Sequence, residues 1–227
     1  MSHGLYVKRN NSNIINCILG VYVDDILIAG KSKGINITKN KIKNRFKIKE
    51  IGNVDFVIGI KFIKYKNGYI LNQNRYLVDL LEKNNILDLP PLRNMKPVEN
   101  EKLRKHEIDE TVYRGAIGSL LFLAMCTRPD IIFAVSKADR KSKNPTLEDW
   151  ENVKRILRYL KGTANFGLRF STSESIESYV DADYAGDEET RRSTTGFIIC
   201  MGRHQRAGIP NSNTTYQLQQ PKRNTTV

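Results

Sequence analysis

The stretch Ile18-Leu19-Gly20-Val21-Tyr22-Val23-Asp24-Asp25-Ile26-Leu27-Ile28-Ala29-Gly30 constrains this chain more than any other. Two short runs rich in Val and Ile flank an Asp-Asp pair, and Gly30 closes the second. Runs of that length bounded by turn residues predict two buried strands. Joined as a hairpin, they hold the paired carboxylates at its tip, on backbone that is stiff from both sides. Acidic pairs are common in plain tight turns. The same pair is also the oxygen ligand type that a hard cation such as Mg²⁺ takes, and phosphoryl transfer uses such a cation.

By residue type alone the plain turn is the commoner case, and the global charge bears on the partner instead. The formal net charge is +13, with a pI near 9.6. Lys31, Lys33, Lys39, Lys41, Lys43, Arg45, Lys47 and Lys49 follow the hairpin with no acid among them. Solvated helix faces normally mix signs. An unmixed basic block beside a metal-type turn predicts a polyanion partner, most simply nucleic acid. No apolar run reaches the roughly 18–20 residues of a membrane span, and no apolar signal region follows Met1. Cys17, Cys126 and Cys200 are odd in number and far apart, so neither a disulfide framework nor a zinc site is expected. An intracellular, reducing compartment is the expectation.

Residues 5–30 read as a strand, a turn at Asn10-Asn11-Ser12-Asn13, and then the hairpin. A basic helix is predicted over 38–48 with Ile42 and Phe46 on its apolar side, then a long strand over 56–65. Asn67-Gly68 predicts a tight turn into Tyr69-Ile70-Leu71. A helix at 74–86 carries Leu77, Leu80 and Leu81, and Pro90-Pro91 stops it. Residues 90–110 lack periodicity and read as a linker. Helices follow near 111–126 and 130–140. The next starts at Thr146, with Asp149 at capping-box spacing, and ends at Gly162. Its Trp150, Val153, Leu157 and Leu160 form a core face. Lys154, Arg155, Arg158 and Lys161 form a basic one, suited either to water or to tracking a backbone. Strands are expected at 166–170, 176–182 and 195–200. Beyond Met201 the apolar pattern stops.

Tyr22-Val23-Asp24-Asp25 with its following strand resembles the polymerase motif of copia-type retrotransposon Pol polyproteins. Val57-Ile58-Gly59-Ile60 is similar to that family's next strand. Tyr113-Arg114-Gly115-Ala116-Ile117-Gly118-Ser119-Leu120-Leu121-Phe122-Leu123 resembles its Y-R-x-x-I-G-S-L-x-Y-L block, with Phe122 in place of Tyr. Thr127-Arg128-Pro129-Asp130-Ile131 resembles T-R-P-D-I, and residues 155–163 resemble R-I-L-R-Y-L-K-G-T. Asp181-Ala182-Asp183-Tyr184-Ala185-Gly186-Asp187 is similar to the D-A-D-W-A-G-D opening of the family's RNase H domain.

The resemblance implies an α+β chain. It would contain part of a right-hand polymerase palm and the start of the thumb (1–89), a linker (90–110), and thumb and connection helices (111–165). The first strands of an incomplete RNase H-like sheet (166–202) would follow; beyond them the resemblance stops, and 203–227 are expected to be a disordered, frameshifted tail. It further implies that Asp24 and Asp25 are catalytic Mg²⁺ ligands, that Tyr22 and Val23 lie beneath the primer end, and that Asp181 is the first RNase H metal ligand. Template-primer nucleic acid would be the partner, with no membrane, and the N-terminal part of the polyprotein a further one.

Asp24 is the first acid of the sequence and Glu189 the last. A two-metal site needs carboxylates from more than one strand, so each site is expected to be incomplete in this chain. Two readings follow. One is a reverse transcriptase/RNase H fragment, inactive alone; the other is a non-catalytic nucleic-acid-binding module derived from such a polymerase. The tail is expected to be a frameshifted reading of RNase H sequence. Written GCT GGA ATT CCA AAC TCC AAC, residues 207–213 give W-N-S-K-L-Q when read from the third base. Residues 219–225, written CAA CAA CCG AAG CGG AAT ACA, give T-T-E-A-E-Y. Both resemble downstream blocks of the family. Sequencing the gene should find T ending the Ala207 codon, A ending Pro210, and G ending Pro221, Lys222 and Arg223; other bases exclude the frameshift.

Overall fold

The computed structural model describes residues 4–65, 68–97, 99–104, 106–171, 176–183, 194–201 and 216–217. The fold is α+β with antiparallel sheets, as expected. The chain divides into two units, Met1–Val57 and Ile58–Val227.

In the first unit β1 (Leu5–Arg9), β2 (Ile15–Tyr22) and β3 (Asp25–Gly30) form an antiparallel sheet in that order. The first turn lies where Asn10 and Asn13 place it. The Asn10 carboxamide oxygen accepts from the Ser12 and Ile14 amides at 3.1 and 2.8 Å, and Asn13 takes a left-handed φ of 59°. Helix α1 (Ser32–Lys43) begins six residues before the predicted start and ends five before the predicted end. Gly34 lies inside this helix, although glycine disfavours a helix interior. It is required here by close approach: a Cβ at Gly34 would lie 2.6 Å from the Asn16 carbonyl oxygen. Phe46 lies beyond α1 and is exposed, not on an apolar side. A short strand, β4 (Phe56–Val57), follows.

In the second unit β5 (Ile60–Tyr65), β6 (Gly68–Asn72) and β7 (Leu168–Ser171) pair antiparallel in that order. The predicted hairpin is present, with Tyr65 opposite Gly68 and Ile63 opposite Ile70; Asn67 lies outside the described residues. The long strand expected over 56–65 is interrupted. Ile58 (φ 50°) and Gly59 (φ 73°) are both left-handed, which no extended strand accommodates.

Helices α2 (Asn74–Lys83), α3 (Glu101–Arg104), α4 (Glu110–Cys126), α5 (Ile132–Asp139) and α6 (Leu147–Gly162) complete the described helical part. Leu77, Leu80 and Leu81 of α2 join Tyr113, Ile117, Leu120 and Leu123 of α4, Val135 of α5, and Val153, Leu157 and Leu160 of α6 in one buried cluster. The apolar residues of α4 thus form core, although its other face leaves Val112 and Met125 exposed. Trp150 packs half-buried against this cluster, with its ring 6.4 Å from that of Tyr113. The capping box is formed as predicted: the Thr146 hydroxyl accepts from the Asp149 amide, and the Asp149 carboxylate accepts from the Thr146 amide.

Burial pushes the Tyr113 phenol well above its ordinary value near 10, with Asp149 and Asp139 adding to the effect; burial, and then Asp130, do the same to Tyr159. With both groups raised in the folded state, the unfolded chain ionises first. Their stabilisation is complete below about pH 10 and is lost as pH rises above it. Urea midpoints should therefore hold up to about pH 10 and fall as pH rises beyond it. Tyr113→Phe should flatten that fall, at the cost of the hydrogen bond its hydroxyl donates to the Ala138 carbonyl (2.9 Å).

β8 (Ile176–Asp183) and β9 (Thr194–Met201) pair antiparallel, close to the expected spans. Asp181 lies in β8 opposite Gly196. Within 203–227 the described residues are Tyr216–Gln217 (β10), which pair with β9.

Candidate metal-binding turn and nucleic-acid interface

The hairpin carrying the Asp pair is tightly registered. Cys17 faces Gly30, Leu19 faces Ile28, and the last pair is Tyr22 with Asp25. Val23 and Asp24 are therefore the two loop residues. Val23 sits at φ 51°, in the left-handed region that β-branched residues avoid, and is 82% exposed. Holding valine there stores on the order of 1–3 kcal/mol of strain, which the paired strands sustain. Tyr22, Asp24 and Asp25 are also exposed, so the tip presents two adjacent carboxylates and a phenol to solvent. Among the described residues no group of three or more His, Cys, Asp or Glu side chains comes together. Asp181, the other expected ligand, belongs to β8 of the second unit.

The basic block is spread over two kinds of backbone. Lys31 immediately precedes α1; Lys33, Lys39, Lys41 and Lys43 lie on it; Arg45, Lys47 and Lys49 lie beyond it. Glu50 folds back to pair with Lys39 (3.0 Å) and Lys43. Those two ammonium groups, Lys43 foremost, hold its carboxyl below the usual range. Lys31, Lys33, Lys41, Arg45, Lys47 and Lys49 are exposed.

The basic face of α6 does track a backbone, but it is the chain's own. Arg155 donates to the Lys96 carbonyl (2.6 Å), Arg158 to Pro90 (2.7 Å), and Lys161 to Leu87 and Leu89. The Leu92 amide returns a bond to the Arg158 carbonyl, and a Cβ at Gly162 would lie 2.9 Å from the Leu92 oxygen. Residues 87–96 are strapped along the helix, so these side chains are committed to carbonyls. Sequence reasoning had no means of finding that partner, because carbonyl acceptors leave no mark on residue identity.

Comparison with known proteins decides the family. Residues 1–98 match the model of the reverse transcriptase (RNA-dependent DNA polymerase) family. A protein ascribed to transposon Ty5-1 in Saccharomyces cerevisiae is 31% identical over 92% of this chain and 68% of its own length. The chain belongs to the copia-type retrotransposon reverse transcriptase family. The retrovirus-related Pol polyprotein from transposon RE2 of Arabidopsis thaliana is 37% identical over 88% of the chain. That from transposon TNT 1-94 of Nicotiana tabacum is 38% identical over 86%. This reverse transcriptase relative spans only 14% and 16% of those two polyproteins. No solved structure matches it.

Proposed function

We propose that this chain is the part of an RNA-directed DNA polymerase that presents the metal-binding turn to the primer end, followed by thumb and connection helices and the first strands of an RNase H-like sheet. The observation that carries this reading is the tip of the β2–β3 hairpin, where Asp24 and Asp25 stand exposed on a registered, strained turn.

Magnesium fits this donor set. Mg²⁺ takes oxygen ligands and is commonly bound by one or two carboxylates, with substrate phosphates and water filling its octahedron. When bound, it neutralises the charge that builds on the transferring phosphates. Asp24 and Asp25 would hold it, and Tyr22 and Val23 would bound the space beneath the primer end. Asp181 is assigned to the RNase H side by family position. Two neighbouring carboxylates on one turn make one side of a two-metal cage, so the remaining ligands come from other parts of the polyprotein and the chain alone does not polymerise.

Template-primer binding is assigned to the block from Lys31 to Lys49, which neutralises phosphates without reading bases. The test is fluorescence anisotropy with a primer-template duplex over a salt series. Log K should fall with log salt by about 0.9 per phosphate neutralised. Reversing Lys41, Lys43 and Arg45 to Glu should flatten the slope by at least about two phosphates' worth. An unchanged slope would move the interface to another face.

A further inference from the structure

We propose that the junction between the start of α2, the end of α4 and the segment after α6 is a binding site for one buried water molecule, held between the side chains of Gln73 and Asn74. The inference goes beyond the polymerase reading and does not depend on it, since the junction lies wholly within the second unit.

Gln73 is the N-cap of α2, a position that Ser, Thr, Asp and Asn usually fill, and its side chain makes no cap bond. That side chain is committed elsewhere. Gln73 is 3% exposed, and its Oε1 accepts from the hydroxyl of Thr127, the C-cap of α4, at 2.7 Å. Asn72 does the local work instead. Its Oδ1 accepts from the Asn74 amide at 2.7 Å, and its Nδ2 donates to the Ala164 and Phe166 carbonyls, each at 3.4 Å. Two polar atoms are left over. Among the described residues, neither Gln73 Nε2 nor Asn74 Oδ1 has a hydrogen-bond partner, and both are buried.

Both side chains line one cavity of about 10 Å³, walled otherwise by Leu77, Leu123 and Phe166, with Arg128 beside them. That is about the room one water needs, and a buried water bonds two to four polar groups. The leftover pair selects the occupant. One atom donates and the other accepts, so the occupant must do both. The Asn74 oxygen refuses an anion. The Gln73 N–H and the Arg128 guanidinium refuse a cation. A dry cavity would forfeit a hydrogen bond at each amide, which native interiors rarely do. Turning the Gln73 amide over lets Nε2 donate to Thr127 and presents Oε1 to the cavity; water, with two hydrogens, bonds that arrangement as well. The water closes a chain of hydrogen bonds from Thr127 through Gln73 to Asn74, tying the first turn of α2 to the end of α4.

The test is NMR on the full chain with labelled leucine methyl groups. The methyls of Leu77 and Leu123 cannot exchange protons with solvent, so NOE and ROE peaks of opposite sign between them and the water resonance report a long-lived water. Such peaks are expected in the parent chain and in Asn74→Asp, which keeps an oxygen acceptor. They should be lost in Asn74→Leu, whose side chain fills the cavity, with circular dichroism checking that both variants fold. Peaks absent from the parent, or lost in Asn74→Asp as well, would overturn the proposal. So would peaks that persist in Asn74→Leu, which would trace them to the Thr127 hydroxyl. Should Asn74→Leu not fold, the parent chain decides: a high-resolution crystal structure should show one solvent molecule about 2.7–3.2 Å from both side chains, and a dry cavity would overturn the site.

Discussion

Asp24→Asn is expected to reduce Mg²⁺-dependent primer extension by roughly a thousandfold in the polymerase assembled from this chain and the rest of its polyprotein. A neutral amide at the hairpin tip would remove one of the two adjacent carboxylates proposed to hold the metal. A catalytic metal supplies several kcal/mol of transition-state stabilisation, and a loss of about 4 kcal/mol is about three powers of ten in rate. Because Asp24 is exposed and lies outside the ladder pairs, folding should change by less than about 0.5 kcal/mol. The loss should therefore fall on kcat and on Mg²⁺ affinity, leaving unchanged the template-primer affinity proposed for the basic block. Activity within tenfold of the parent would remove Asp24 from the metal site.

The second large effect is structural. Arg128 is 3% exposed and ties three segments together. Its Nε and Nη2 donate to the two Asp130 carboxylate oxygens at 3.0 and 2.8 Å, and Nη1 and Nη2 donate to the Thr163 carbonyl and hydroxyl at 3.1 and 2.6 Å. The guanidinium carbon lies 5.6 Å from the ring centres of both Tyr159 and Phe166. Thr163 is the C-cap of α6, so the cation also meets the negative end of the helix dipole. Breaking a buried ion pair by removing one partner costs on the order of 3–5 kcal/mol. The Asp130 side chain keeps 34% of its exposure and can be rehydrated, which puts Arg128→Ala near the lower end, about 3 kcal/mol. Arg128→Lys keeps the charge but not the planar fork, and should recover less than half of the loss. Urea titration of the three proteins checks this. A loss under about 1 kcal/mol for Arg128→Ala would mean that the cluster is not a keystone of the helical unit.

Both predictions sit on motifs visible in the sequence, for different reasons. The hairpin was legible because apolar runs and an acidic pair specify strands and a turn by residue type alone. The register then follows from the shortness of the loop. The α6 cap was legible because Thr146 and Asp149 carry their hydrogen bonds three residues apart. The start of α1 was not, since Gly34 serves a close approach to Asn16, a neighbour distant in sequence. Nor was the break at Ile58, where an isoleucine occupies a conformation that its own preferences oppose. The T-R-P-D block marked the family, but the arginine's role comes from Thr163, Tyr159 and Phe166, 31 to 38 positions away. Arg155, Arg158 and Lys161 of α6 likewise read as suited to water or to a nucleic-acid backbone, and their carbonyl partners at 87–96 could not be seen. Local chemistry was legible; chemistry supplied by distant backbone was not.

The central claim is that Asp24 and Asp25 are part of a polymerase metal site completed by other parts of the polyprotein. Primer extension on a homopolymer template with Mg²⁺ tests it most directly. The assay compares this chain alone, the TNT 1-94 reverse transcriptase portion without its matched part, and the two together. The account predicts no extension by either component, extension by the mixture, and its loss when the chain carries Asp24→Asn. Extension by this chain alone, or by a mixture indifferent to Asp24→Asn, would contradict it.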